Sequence, residues 1–519
     1  MHSWAGALLS SVCSGVLLAL SFPNAGHPLV AWVALVPLLV AVSLEPVPRR
    51  AFGLGLVTGL VHFVGTLYWI TQVMVEYGGL ALTVAWGVHA LLVGYLALYP
   101  ALFALIISVM CRRLGPVGLL YAPAVWVTTE LGRIYLFTGF PWELLGYSQT
   151  PVLPIAQVAS VVGVLGLSTL VALVNGAVAF AVTTEGPRRW RVLGAAVVLV
   201  LASAAFGGWR IQTGTLQDAG TPLRVATVQG NIAQSDKWDP ALRDSILTTY
   251  VELTRRAARQ GAQLIIWPEA ATPFAFESDG VRSNAVRALA RETGAHLLIG
   301  STAISRDVDV RYYNAAVMID DRGGTVGVYH KQHLVPFGEY VPLRRLLFFV
   351  SPLVEAIGDF SAGTGPHTLP LDGHTVSTAI CYEIIYPELV RALVIKGSHL
   401  LTTVTNDAWY GRTAAPYQHF QQATMRAIEQ GRYLVRAANT GISGVIDPYG
   451  RVMVSTPLFE THVITADVRL LEDFTLYARV GDVLAYACAG LTGAVLWVTG
   501  RRRRGGAIQH MEAGCDSSS

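Results

Sequence analysis

The stretch Val376-Ser-Thr-Ala-Ile-Cys381-Tyr-Glu-Ile-Ile-Tyr-Pro-Glu388 is an apolar run closed by a cysteine, with a proline six residues beyond it. This order predicts a strand that turns sharply into a helix, with Cys381 at the turn. A nucleophile at such a turn stands at the end of a sheet. Helix N–H groups beside it can hold an oxyanion and lower the thiol pKa. By position alone Cys381 is a buried spectator, an intermolecular partner or a nucleophile, so partners decide.

Working outward, short apolar runs alternate with polar helical stretches from Leu223 onward. Strands are expected at Arg224–Gln229, Gln263–Trp267, His296–Gly300, Asn314–Asp320, Thr325–Tyr329, Val376–Cys381, Leu400–Thr405, Gly444–Ile446 and Val452–Ser455. Asp320–Gly324 and Asp447–Gly450 have the composition of hairpin turns. Helices are expected over Pro240–Gln260, Gly280–Thr293 and Pro416–Arg432. Strands apolar on both faces, helices and hairpins together predict an α/β sandwich. Two further strand ends deliver charge. Leu264-Ile-Ile-Trp-Pro-Glu269 carries a carboxylate just past its strand, and the loop Tyr329–Pro342 supplies Lys331 and then Glu339. Each charge alone reads as a surface ion pair. Together Glu269, Lys331 and Cys381 make a base, an electrophilic cation and a nucleophile.

The rest of the chain is of another kind. Of 519 residues, 53% are hydrophobic and 14% charged, where a soluble protein carries about 25% charged. Residues 1–210 hold nine Arg, five Glu and neither Lys nor Asp. Eight apolar stretches are long enough to be read as membrane spans: Trp4–Phe22, Pro28–Leu44, Ala51–Met74, Gly79–Met110, Pro116–Phe137, Pro154–Val182, Val192–Trp209 and Gly481–Gly500. Arginines cluster at 49–50, 112–113, 188–191 and 501–504, while the loops Pro23–His27 and Val75–Gly78 carry no Lys or Arg. The positive-inside rule then puts both termini in the cytoplasm and residues 211–480 outside it. The expected organisation is a seven-span domain over 1–210, an extracytoplasmic catalytic domain over 211–480, a last span over 481–500 and a basic cytoplasmic tail over 501–519. Of five cysteines, only Cys381 falls in the external domain, where it has no disulfide partner. In span five Glu130 and Arg133 sit three apart and are expected to pair. The aromatic segment Thr138–Tyr147 that follows is a candidate lipid contact.

Trp-Pro-Glu269, His-Lys331 and Ile-Cys381-Tyr-Glu383, in this order, resemble the Glu–Lys–Cys triad of the nitrilase, or carbon–nitrogen hydrolase, superfamily. Flanking blocks resemble the apolipoprotein N-acyltransferase family within it. These are Val228–Ile232, Gln234-Ser-Asp-Lys-Trp238, His333-Leu-Val-Pro-Phe-Gly-Glu339-Tyr-Val-Pro342, Asn406-Asp-Ala-Trp-Tyr-Gly411, Asn439–Ser443 and, in the membrane half, Gly139-Phe-Pro-Trp142. The resemblance implies eight spans plus an αββα nitrilase-like domain in the periplasm of a bacterial inner membrane. It implies acyl transfer from a phospholipid, typically phosphatidylethanolamine, to the N-terminal α-amine of the diacylglyceryl-cysteine of apolipoproteins. Under it Glu269 is the general base, Lys331 stabilises the oxyanion, and Cys381 carries a thioester. Glu339 and Glu383 are expected to support Lys331 and the turn after Cys381. Trp238, Tyr382, Trp409 and Trp142 are candidate substrate contacts. No metal or other cofactor, no nucleic acid and a monomer are expected.

Three other readings start from the same residues. A membrane-tethered amidase, with water resolving the thioester, uses the same triad. A transporter with an external binding domain would place ionisable groups along a mid-membrane path, whereas Glu130 and Arg133 lie near one end of their span. A metal site at His330 and His333 lacks further ligands in sequence. The apolar loop Leu343–Phe360, close to Lys331, is a candidate mobile lid.

Overall fold

The computed structural model describes residues 3–306, 309–340 and 360–515, the side chains of 501–515 excepted. All but Phe360 of the candidate lid therefore lies outside the described residues.

The amino-terminal half is helical: α1 (Trp4–Ala19), α2 (Val36–Leu44), α3 (Pro48–Leu67), α4 (Trp69–Glu76), α5 (Leu82–Leu114), α6 (Ala122–Tyr135), α7 (Leu153–Ala156), α8 (Ala159–Thr183), α9 (Pro187–Thr213) and α10 (Thr215–Asp218). Among the described residues, five segments are long and apolar enough to cross a membrane, including the 57-residue stretch Leu82–Thr138. That stretch is a helical hairpin, because Gly115 at φ 65 ends α5 and lets the chain fold back into α6.

Four expected spans are broken; one of them, Pro116–Phe137, is a 3-10 stretch up to Tyr121 followed by α6. Pro28–Leu44 is a 3-10 turn over Pro28–Trp32 followed by α2, with Pro37 in the first turn of the new helix. Asn175 on α8 satisfies the break, accepting from Leu35 N at 2.8 Å and donating to Ala31 O at 2.9 Å. Ala51–Met74 divides between α3 and α4 at Tyr68. Pro154–Val182 divides between α7 and α8. Close helix contact is bought with small residues: a Cβ on Gly59 of α3 would lie 2.7 Å from Ala97 Cα of α5.

Among the described residues, the carboxy-terminal half contains twelve strands in two sheets: β1 (Thr221–Gln229), β2 (Leu264–Ile266), β3 (His296–Ser305), β4 (Arg311–Ile319), β5 (Thr325–His330), β6 (Leu369–Leu371), β7 (His374–Ile380), β8 (Leu400–Thr405), β9 (Leu434–Ala438), β10 (Gly444–Ile446), β11 (Val452–Ser455) and β12 (His462–Leu470). One sheet runs β12-β1-β2-β3-β4-β5 and the other β11-β10-β9-β8-β7-β6. Each has a parallel trio at its centre, β1-β2-β3 and β7-β8-β9, flanked by antiparallel pairs.

Val225, Ile266, Leu298 and Met318 of the first sheet share one buried core with Val376, Leu400, Val404 and Val435 of the second. Helices α11 (Arg243–Arg259) and α12 (Gly280–Thr293) cover the outer face of the first sheet. Helices α13 (Pro387–Ile395) and α14 (Ala415–Gln430) cover that of the second. This is the αββα sandwich. Strands β6, β9 and β12 escape the sequence reading: β6 is three residues long, β9 carries Arg436 in its middle, and β12 interleaves Thr465, Asp467 and Arg469. Two last helices follow, α15 (Leu476–Val480) and α16 (Val483–Cys515); the apolar part of α16, Val483–Gly500, packs on α6.

The two halves meet on α14, of whose sixteen residues fourteen are buried. Its outward face is polar. Gln418 Oε1 accepts from Trp142 Nε1 at 2.8 Å and Trp69 Nε1 at 3.3 Å, and Gln421 donates to Tyr147 O at 2.9 Å. Arg426 donates to the Tyr147 hydroxyl at 2.8 Å, and Glu429 accepts from Val164 N at 2.8 Å. Burying polar groups is costly unless they are paired, and these bonds pair side chains of α14 with groups of the membrane half.

Candidate active site

Glu269, Lys331 and Cys381 all lie just beyond the ends of strands, following β2, β5 and β7. The sandwich brings these ends to one place. Each side chain is held by packing rather than by water: Glu269 is 7% exposed, Lys331 1% and Cys381 7%.

Glu269 approaches so closely that a Cβ at position 300 of β3 would meet Pro268 O at 2.2 Å, which explains Gly300. Its Oε1 accepts from Asn314 Nδ2 at 2.6 Å and lies 3.5 Å from Lys331 Nζ, while Oε2 accepts from Asn406 N at 2.9 Å. Lys331 leans more strongly on Glu339, whose Oε1 and Oε2 are 3.0 and 2.9 Å away. Burial alone would push the Lys331 ammonium toward neutrality, but Glu339 and Glu269 override it and raise its pKa, so it stays a cation. Asn314 Nδ2 also donates to Glu339 Oε1 at 2.8 Å, so one amide ties both carboxylates together.

Cys381 sits at φ 52, a left-handed conformation that costs about 1–3 kcal/mol for a residue with a Cβ and persists where surroundings enforce it. A short 3-10 helix, Cys381–Ile385, begins there. Glu383 stabilises the turn: its Oε2 accepts from Ile380 N at 2.7 Å, and its Oε1 from Gln332 N at 2.6 Å and His333 N at 3.1 Å. It thereby joins the turn of Cys381 to the loop of Lys331. Burial and the neighbouring Glu269 push the Cys381 thiol pKa up, with Lys331 acting against them. A raised thiol pKa means that the sulfur rests protonated, and a thiol in that state becomes a good nucleophile only when a base takes its proton.

The other expected residues are placed as follows. Tyr382 is buried with its ring 6.4 Å from Phe140 of the membrane half. Trp409 is half-buried, 5.1 Å from Tyr77. Trp238 is half-buried beside Lys237. Trp142 is 1% exposed, between the rings of Trp69 at 5.1 Å and His419 at 5.7 Å. Glu130 and Arg133 do pair, at 3.9 Å. Arg133 also donates to the carbonyls of Trp142 and Glu143 at 3.0 and 3.1 Å, holding the segment that carries Trp142. His330 and His333 stack instead on Tyr313 at 4.2 Å and Tyr386 at 3.9 Å.

Several residues in the site are not distinguished by the sequence pattern as site residues. Asn314 gives no signal there, being one polar residue in a strand. Lys237 is 3% exposed and donates to Glu269 O at 2.8 Å, and burial lowers its pKa to about 8. Asn406 and Asp407 do carry a signal, since they end the apolar strand β8 just as Cys381 follows β7.

The amino-terminal residues 14–177 match the model of the apolipoprotein N-acyltransferase N-terminal domain, and residues 224–472 match that of carbon–nitrogen hydrolases. An apolipoprotein N-acyltransferase of Geobacter metallireducens is 43% identical to this chain over 95% of both. The chain belongs to the apolipoprotein N-acyltransferase family. A second such relative, from Methylococcus capsulatus, is 39% identical over 96% of this chain and 97% of its own. Among solved structures, an amidase of the nitrilase superfamily from Nesterenkonia aligns with 52% of this chain and 97% of its own, at 21% identity and a TM-score of 0.39. The apolipoprotein N-acyltransferase relatives extend over both halves of the chain.

Proposed function

We propose that this protein transfers a fatty acyl chain from a membrane phospholipid, typically phosphatidylethanolamine, to the N-terminal α-amine of the diacylglyceryl-cysteine of apolipoproteins. Glu269, Lys331 and Cys381 are its catalytic residues. The observation that carries this reading is the docking of the Cys381 site on the membrane half. Tyr382, next to the nucleophile, faces Phe140, and Tyr386 donates to Gly139 O at 3.0 Å. A hydrolase acting on soluble amides needs no such wall, so the amidase alternative is not favoured.

Glu269 takes the Cys381 proton as the sulfur attacks the ester carbonyl. Lys331 and first-turn N–H groups of the 3-10 helix hold the resulting oxyanion. Collapse breaks the ester C–O bond, Glu269 returns the proton to the glycerol oxygen, and a lysophospholipid leaves. The amine then attacks the thioester while Glu269 takes its proton. The C–S bond breaks, the sulfur regains a proton, and an amide is released. Trp238, Tyr382 and Trp409 border the acyl chain, while Trp142, fully buried, supports the wall from behind.

The same reading assigns eight membrane spans to the apolar stretches, the 57-residue hairpin counting as two. The units are 1–210, 211–480, 481–500 and 501–519, with both termini cytoplasmic and the sandwich in the periplasm of a bacterial inner membrane. The arginine clusters support this orientation, and the enzyme acts as a monomer.

The test incubates the purified full chain with acyl-labelled phosphatidylethanolamine and a diacylglyceryl-cysteine peptide. Acylated peptide and lysophospholipid in equal amounts are expected, with a thioester on Cys381 when peptide is omitted and none in Cys381→Ala. Free fatty acid without acylated peptide overturns the transferase reading in favour of hydrolysis.

A further inference from the structure

The carbonyl of Cys381 is not left to the 3-10 turn alone. It accepts a hydrogen bond from His419 Nε2 of α14 at 3.1 Å. On the other side of the ring, Nδ1 lies 3.1 Å from Asp407 Oδ1 and 3.0 Å from Arg436 Nη2. Arg436 Nη2 is in turn 2.7 Å from Asp407 Oδ2. Asp407 also receives the Thr405 hydroxyl at 2.8 Å, and Arg436 donates to Ile442 O at 3.1 Å. All three side chains are fully buried. Removing charges from water is costly unless they are paired and hydrogen-bonded, and here they are. A cluster of this kind, touching the nucleophile's own peptide, has no part in the proton transfers described above.

We propose that His419 is a positioning residue for the acyl-transfer chemistry at Cys381, acting through the Cys381–Tyr382 peptide. The inference rests on the transferase reading of the site. A carbonyl oxygen only accepts, so Nε2 carries a hydrogen whichever partner Nδ1 takes. Asp407 and Arg436 hold the ring in that orientation. A hydrogen bond accepted by a peptide carbonyl polarises the amide and makes its own N–H a stronger donor. In this peptide that N–H belongs to Tyr382, the residue after the nucleophile. It lies in the first turn of the 3-10 helix, where N–H groups have no acceptor within the helix. His419 thus strengthens an oxyanion donor without touching substrate. Its neighbour Gln418 receives the indole N–H groups of Trp69 and Trp142, so the membrane half sets the register of the helix that presents the imidazole.

The test compares His419→Leu, His419→Met and His419→Gln in the full chain. Two rates are read: single-turnover thioester formation from labelled phosphatidylethanolamine, and alkylation of Cys381 by iodoacetamide. Alkylation needs the sulfur but no oxyanion donor. Leu and Met are expected to slow thioester formation roughly tenfold to a hundredfold, less than or close to the loss of a direct oxyanion donor. The half-saturating lipid concentration and the alkylation rate stay unchanged. His419→Gln retains an N–H donor and recovers most of the rate. Thioester formation at the wild-type rate in Leu and Met overturns the proposal. So does a Gln variant as slow as Leu, or a parallel loss of alkylation in Leu and Met, since each marks a merely structural role. Absence of a thioester in the unmodified protein instead defeats the transferase reading itself.

Discussion

Lys331 Nζ stands 2.9 Å from Glu339 Oε2 and 3.5 Å from Glu269 Oε1, so the buried cation rests on the carboxylate that is not the proposed base. Glu339 thereby leaves Glu269 free to accept a proton while keeping Lys331 charged and in place.

Replacing Glu339 by Gln is expected to remove the main influence that raises the Lys331 pKa and to let Lys331 close on Glu269. Breaking a buried ion pair costs about 3–5 kcal/mol. Acyl transfer should fall at least about a hundredfold, the size of effect seen when electrostatic stabilisation is lost. Activity close to wild type in a folded Glu339→Gln protein would rule out this division of roles.

The Cys381 thiol is held above its usual pKa by burial and by Glu269. Its thiolate fraction therefore keeps growing with pH through the alkaline range. Alkylation of Cys381 by iodoacetamide should rise from pH 7 to pH 9 without levelling off, roughly in proportion to thiolate. A plateau at neutral pH would show a preformed thiolate instead.

His333 stacks on Tyr386, and burial together with Lys331 lowers its pKa from 6.5 to about 4. Between these values the unfolded chain binds a proton that the folded one refuses. Stability is thus fully present above pH 6.5 and declines as pH falls toward 4. Thermal unfolding in detergent should show this slope, and His333→Gln should flatten it. An unchanged slope in that variant would exclude His333 as the source.

Gln418 is the point at which two membrane-half indoles meet α14. Gln418→Leu strands both N–H groups in a buried site, at about 1–3 kcal/mol each. A lower unfolding temperature is expected, together with faster proteolysis between the two halves. No change in either would mean that the docking does not depend on these bonds.

Much of this molecule can be read in one dimension. The apolar runs before Glu269, Lys331 and Cys381 announce strands by composition, and a charge or thiol just past a strand end is conspicuous against them. Asn314 could not be found that way. Its function is to donate to Glu269 and Glu339, which lie 45 and 25 residues away, and nothing local distinguishes it from a strand residue facing solvent. Strand β12 is similar. Its alternation of Thr, Asp and Arg resembles a surface segment until it pairs with β1 across the whole register from Thr221–Leu470 to Gln229–His462.

The sequence by itself determined the two kinds of chain and the attachment to strand ends of the three side chains proposed to react, because hydrophobic period and turn chemistry are local properties. Only the tertiary structure decided what covers α14. Its Gln418, Gln421, Arg426 and Glu429 read as the wet face of an amphipathic helix, yet all are buried against the membrane half. Whether a polar face meets water or matching donors and acceptors depends on what packs against it, and that is a property of the assembled fold.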